Sequence, residues 1–121
     1  TGKYTDLDEF PVERARTKLF SSQRPAAKHS GPGAEELVTE ILGKYKELCM
    51  AENLNPAVTA LAWAMGRPGI TSVVAGATSK EHARSNASAG NYFVPAEVLE
   101  KINRWTDPLK EQFRSELNPY Q

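Results

Sequence analysis

Residues 72–86, SVVAGATSKEHARSN, combine side chains that suit the binding of a phosphate group. A short apolar run reaches Gly76 and Ala77, which are small enough to let the backbone come close to an anion. Thr78 and Ser79 add hydroxyl groups where a polar, helix-like run begins. Free N–H groups and the dipole at the start of a helix favour negative charge. The stretch is typical of a phosphate-binding turn between a strand and a helix, although an ordinary loop before a capped helix has the same pattern.

Helical patterns lie on both sides of this turn. Residues 34–53 place apolar side chains on one stripe, which predicts a first helix. Pro56 suits the first turn of a second helix with Asn55 as its N-cap. The sequence GRPG predicts the end of that helix. A third helix is predicted over residues 80–89.

The ends of the later helices are also indicated by single residues. Thr78 or Ser79 can cap the third helix, with Glu81 in its first turn. A last helix is predicted to begin near Pro95 and to be limited by Pro108, with a further helical stretch after it.

A single strand-like run separates the second and third helices. Residues 71–75, TSVVA, have no polar interruption after Ser72, which is typical of a strand buried on both faces of a parallel sheet. One strand cannot satisfy its own backbone N–H and C=O groups and needs neighbours. The sequence therefore predicts one of two outcomes. Either this strand belongs to a sheet whose other strands are formed by chain outside this sequence, or the run is not a strand when this piece stands alone.

Composition excludes several classes of function. The 121 residues contain 15 basic and 15 acidic side chains, so no excess of positive charge favours nucleic acid. The helix pair at 34–66 could suggest a helix-turn-helix, but it offers few polar side chains to read bases. No apolar run reaches the roughly 20 residues of a membrane helix, so no membrane insertion is expected. The single cysteine, Cys49, excludes an internal disulfide and favours a reducing, cytoplasmic location.

Three motifs together resemble a known family. They are TGKY at residues 1–4, NPAVTALAWAMGRPGITSVVAGATSKEHARSNASAG at residues 55–90 and a Pro-Ala-Glu helix start at residues 95–97. In this combination the chain resembles the C-terminal third of an aldo-keto reductase, and within that family it is most similar to the branch of the potassium-channel β subunits and their bacterial relatives.

The resemblance implies an α/β fold, a (β/α)8 TIM barrel of which this chain is a C-terminal fragment. Residues 1–33, an irregular stretch, would be the long loop after strand 7. Residues 34–121 would hold the last α/β unit and the C-terminal helices, with strand 8 at 71–75. As an isolated chain such a fragment is expected to be mostly helical.

The resemblance also implies a cofactor site for the adenosine half of a nicotinamide dinucleotide, NADP with NAD possible. His82 and Ser85 differ from the Gln, Arg or Glu of relatives, and many relatives carry Lys where Gly76 stands, so the NADP signature is incomplete. The positions that match cofactor contacts of the family are Lys3, Arg14, Gly76, Ala77, Thr78, His82, Ser85 and Asn86.

The family's catalytic Asp, Tyr, Lys and His lie before strand 7, so the resemblance implies no catalytic residue in this chain. His29 and His82 are the only histidines, and neither has a matching context. Acidic residues show no metal-ligand spacing.

The complete protein would reduce an aldehyde or ketone, a small carbonyl substrate, with NAD(P)H. The alternative is a non-catalytic regulatory or assembly subunit, which would bind the rest of a barrel or another chain through the helices at 34–53 and 95–105.

Overall fold

The computed structural model describes residues 9–113, and within them the regular structure is helical. The α-helices are α1 (Glu35–Ala51), α2 (Pro56–Met65), α3 (Lys80–Ser88) and α4 (Ala96–Gln112). Single 3-10 turns occupy Val12–Arg14 and Ala89–Asn91. The predicted helices are confirmed, with bounds that differ by a residue or two at most ends.

The described chain divides into two units. The first, called the central unit here, consists of Tyr45–Ile102. The second, the flanking unit, consists of the described residues of Lys3–Lys44 and Asn103–Gln121.

The central unit has a small core supplied by several helices. Val98, Thr59 and Cys49 are its largest fully buried side chains. Val98 is followed by Ile102 one helical turn later, which is also buried, so the start of α4 presents an apolar stripe to the core. Burial raises the pKa of the neighbouring Tyr45 hydroxyl, and the Cys49 side chain adds to that shift.

Two tyrosine hydroxyls secure the start of α2. Asn55 is the N-cap, and its side-chain oxygen accepts hydrogen bonds from the backbone N–H groups of Ala57 at 3.0 Å and Val58 at 3.2 Å. The Asn55 backbone N–H donates to the Tyr92 hydroxyl at 2.8 Å, and the Tyr45 hydroxyl donates to the carbonyl of Pro56. The predicted cap is therefore confirmed.

In the flanking unit, the irregular stretch before α1 is ordered by polar contacts. One carboxylate oxygen of Glu35 accepts the backbone N–H of Ser21 at 2.8 Å and the guanidinium of Arg24. The hydrogen bond from Arg24 lowers the pKa of Glu35. The ring of His29 bridges the carbonyl of Thr17 and the backbone N–H of Gly31. The loop thus has defined partners without a regular helix or strand, apart from the single 3-10 turn.

The strand predicted at residues 71–75 is not formed within residues 9–113. The segment has no regular secondary structure, and Val74 is 99% exposed. A strand needs a partner for its backbone groups, and the described chain contains no other strand to supply one. The second of the two predicted outcomes, that the run is not a strand in this piece alone, therefore describes the structure.

The prediction that Pro108 limits the last helix is wrong, because α4 continues through Pro108 to Gln112. Proline removes one backbone N–H and disturbs the carbonyl four residues earlier, here that of Arg104. The site is exposed to solvent, which can satisfy the freed carbonyl. The Thr106 hydroxyl also donates to the carbonyl of Asn103 at 3.0 Å.

Two glycines of the flanking unit provide a matched stability test. Gly33 has φ +78°, and a Cβ there would lie 2.5 Å from the carbonyl carbon of Phe20, so Gly33→Ala is expected to lower the free energy of unfolding by about 1–3 kcal/mol. Gly43, inside α1, has nothing within 4 Å of an added Cβ, so Gly43→Ala should raise it by about 0.5–1 kcal/mol. Urea unfolding followed by circular dichroism measures both. Equal midpoints for the two variants would contradict this account of the loop.

Candidate functional site

The turn before α3 is held by a side-chain cap. Ser79 has extended backbone angles (φ −145°, ψ 164°), and its hydroxyl accepts the backbone N–H of His82 at 3.1 Å. This confirms the prediction that Thr78 or Ser79 caps the helix. The first N–H groups of a helix have no partner within it, and the cap satisfies one of them, that of His82.

Two further hydrogen bonds bring four of the predicted site residues together. The Thr78 hydroxyl and His82 Nδ1 lie 3.0 Å apart. Asn86 Nδ2 donates to the carbonyl of Gly76 at 3.0 Å. His82 and Asn86 are four residues apart and therefore lie on one face of α3. The chain from Gly76 to Thr78 is thus connected to this face at two points.

The remaining residues of the turn leave it open. A Cβ added at Gly76 would meet no atom within 4 Å, so the bare backbone there faces free space. Ala77 is exposed, and Ser85 is half-buried with its carbonyl accepting the Ser88 hydroxyl at 2.7 Å. The site is an accessible surface turn and not an enclosed cavity.

An acidic side chain shares the start of α3 with these groups. Hydrogen bonds from its own backbone N–H and from the Ser79 hydroxyl lower the pKa of the Glu81 carboxyl. The carboxylate is fully exposed, and it satisfies donors that an incoming phosphate would also use. The sequence pattern predicted Glu81 in the first turn of α3, but not that its carboxylate would compete with a phosphate for hydrogen-bond donors.

The other two predicted cofactor contacts are Lys3 and Arg14. Lys3 is outside the described residues. Arg14 is exposed in the 3-10 turn Val12–Arg14 of the flanking unit. Both stay predictions.

A surface cavity of about 390 Å³ lies at the start of α1 in the flanking unit. Its lining includes Glu35 and Glu36, and these carboxylates disfavour an anion. No group of three or more potential metal ligands occurs within residues 9–113. The cavity at the start of α1 is therefore less suitable for a phosphate than the turn before α3.

Comparison with known families identifies the chain. A model of the aldo/keto reductase family matches residues 3–107, which is most of its length. The chain belongs to the aldo/keto reductase family. Comparisons with curated proteins and with solved structures gave no match.

Membership of the aldo/keto reductases confirms the resemblance at the level of the family. The family's members are oxidoreductases that generally use NAD(P)H and bind carbonyl substrates, and their parent fold is a TIM barrel. The match includes the turn at 76–79 and helix α3. None of the helices in the described part of the chain has the length and apolar character to span a membrane.

The cap of α3 can be tested directly. Ser79→Ala removes the hydroxyl that accepts the His82 N–H, and is expected to cost about 1 kcal/mol of helix stability. Amide hydrogen exchange of residues 80–83 should accelerate. Ser72→Ala is the matched control, since Ser72 is exposed in the segment before the turn. Unchanged exchange in the Ser79 variant would show that the cap does not hold the turn.

Proposed function

We propose that this chain is the C-terminal, cofactor-adenosine-binding part of an NAD(P)H-dependent aldo/keto reductase that reduces aldehydes or ketones to alcohols. The observation that supports this most is the hydrogen-bonded turn at residues 76–86. It combines an open backbone at Gly76, a capped helix start and the Thr78 and Asn86 side chains. Barrel enzymes often bind phosphate at this position, in the loops after the last two strands.

The chemistry of the turn fits the adenosine half of the cofactor. Backbone N–H groups at the start of α3 and the Thr78 hydroxyl can donate to phosphate oxygens. Asn86 uses its Nδ2 for the carbonyl of Gly76, which leaves its Oδ1 to accept a hydrogen bond from the adenine amino group. In this proposal Ala77 and Ser85 line the same turn.

NADP is the proposed cofactor, with NAD possible. Lys3 and Arg14 are proposed to contact the phosphates from the long loop that precedes α1. The departures from the family pattern at Gly76, His82 and Ser85 weaken the case for NADP over NAD. The cytoplasmic location expected from the single cysteine also stays a proposal.

The chain alone is proposed to be inactive. His29 uses both ring nitrogens to hold the loop, and His82 lies on an exposed turn with Thr78. Neither arrangement provides a general acid beside a carbonyl site. Hydride transfer is the chemistry that the nicotinamide supplies, and this chain's contribution is to bind and orient the cofactor's other end.

Exposed apolar side chains of the central unit support its association with other parts of a barrel or with another chain. Val74 is 99% exposed, Ile70 48% and Phe93 81%, all in the central unit. In a complete barrel residues 71–75 would pair with neighbouring strands as strand 8, and these apolar side chains would be covered. The alternative function is a non-catalytic regulatory or assembly subunit, which the same exposed side chains favour because they suit a protein interface.

The proposal is tested by titrating the purified chain with NADPH and with nicotinamide mononucleotide, following binding by calorimetry. Saturable binding of NADPH without binding of the mononucleotide is expected, since only NADPH carries an adenosine half. A parallel assay of carbonyl reduction should show no turnover. Failure of NADPH to bind would favour the assembly-subunit alternative, and turnover would contradict the proposed lack of catalysis.

Glu81 provides a sharper prediction. Because its carboxylate lies in the first turn of α3, Glu81→Gln should tighten NADPH binding by about twofold to fivefold, the effect of one charge at a helix terminus. The difference should shrink at high salt. Glu97→Gln, in the first turn of α4, is the matched control and should leave affinity unchanged. Equal affinity of the two variants would place the phosphate away from α3.

A further inference from the structure

The segment between α2 and α3 is an uncovered piece of backbone. Residues 70–77 form neither a helix nor a turn, and their backbone does not bend sharply. Within residues 9–113, the N–H and C=O groups of residues 71–75 have no hydrogen-bond partner. Val73 is half-buried, whereas Ser72 and Val74 on either side of it are exposed. This is the alternation of a strand that has one face covered and an edge left free.

The sequence of this segment lacks the features that usually keep a free strand edge from pairing. Such edges carry charged side chains or proline, or are covered by another element. Residues 68–79 contain no charged side chain, and after Pro68 the next proline is Pro95. Residues 70–74 are mostly β-branched, which favours strand pairing. The free groups of 71–75 therefore suit a partner that is itself an extended strand, because a strand supplies N–H and C=O groups at the matching spacing.

A second copy of this chain meets that requirement. Two identical strands that pair antiparallel about a two-fold axis present the same groups to each other, so both copies gain the same hydrogen bonds. A charged side chain near the axis would face its own kind, which is destabilising, whereas facing β-branched side chains are favourable. Residues 71–75 have the second kind and none of the first. The formal net charge of zero also leaves no overall repulsion between copies.

We propose that residues 71–75 are a self-association edge, through which two copies of this chain form a dimer by antiparallel strand pairing. The inference is independent of the proposed cofactor site, which begins at Gly76. Five paired residues extend over roughly 17 Å, and so short a contact belongs with the small interfaces that give weak, reversible association. The fraction of dimer therefore rises with protein concentration.

Sedimentation velocity of the full chain over a wide range of concentrations measures this dimer. The apparent mass is expected to rise from that of one chain toward that of two. Val74→Pro removes a backbone donor without adding charge, and Val74→Lys places like charges close together across the axis. Each should raise the dissociation constant of the dimer at least about tenfold. Circular dichroism should stay unchanged, because the substitution lies outside the helices.

Amide hydrogen exchange locates the contact. In the wild type, exchange at residues 71–75 is expected to slow as protein concentration rises, because the paired N–H groups are protected. Exchange at these residues should not depend on concentration in Val74→Lys. Dimerisation without protection at 71–75 would overturn strand pairing.

Met50→Lys is the matched control. Met50 is 80% exposed near the end of α1 in the central unit, so this change also replaces an exposed apolar side chain by a cation, but where the backbone is helical. It should alter the dissociation constant by no more than about twofold. Equal weakening by Met50→Lys and Val74→Lys would show association through apolar side chains in general and would overturn the proposal. A monomer at every concentration would overturn the second copy as the partner, and neither result bears on NADPH binding.

Discussion

A β-strand must share its backbone hydrogen bonds with a neighbour, whereas a helix satisfies most of its own. This difference governs which parts of the aldo/keto reductase fold form in the described chain. The helices on both sides of residues 71–75 are complete, and α2 is firmly capped by Asn55. The β-branched run between them has no strand beside it within residues 9–113, and Val74 is left in solvent.

The turn that follows keeps its shape without that strand because its contacts are local. Ser79 caps α3, Thr78 meets His82 one turn into the helix, and Asn86 reaches back to the carbonyl of Gly76. None of these contacts spans more than ten residues. In the proposed function, binding of the cofactor's adenosine half therefore depends on contacts within a short piece of chain.

The same distinction between local and distant contacts explains what the sequence could predict. The helix starts at Asn55 and Ser79 were predictable, because a cap depends on residues that are adjacent in the sequence. The Glu35 contacts with Ser21 and Arg24 join residues 14 and 11 positions apart and leave no periodic signal. The continuation of α4 through Pro108 depends on solvent exposure, which the pattern does not encode. In the site, residue types predicted the turn but not the competing carboxylate of Glu81.

Residues 76–86 are proposed to bind the adenosine-phosphate end of a nicotinamide cofactor. Amide chemical-shift mapping of the labelled chain during addition of NADPH tests it most directly. The shifts are expected to saturate and to cluster at residues 76–86, with little change at the start of α1 near residues 34–37, where carboxylates disfavour an anion. Shifts clustered at α1, or spread without a centre, would contradict the account.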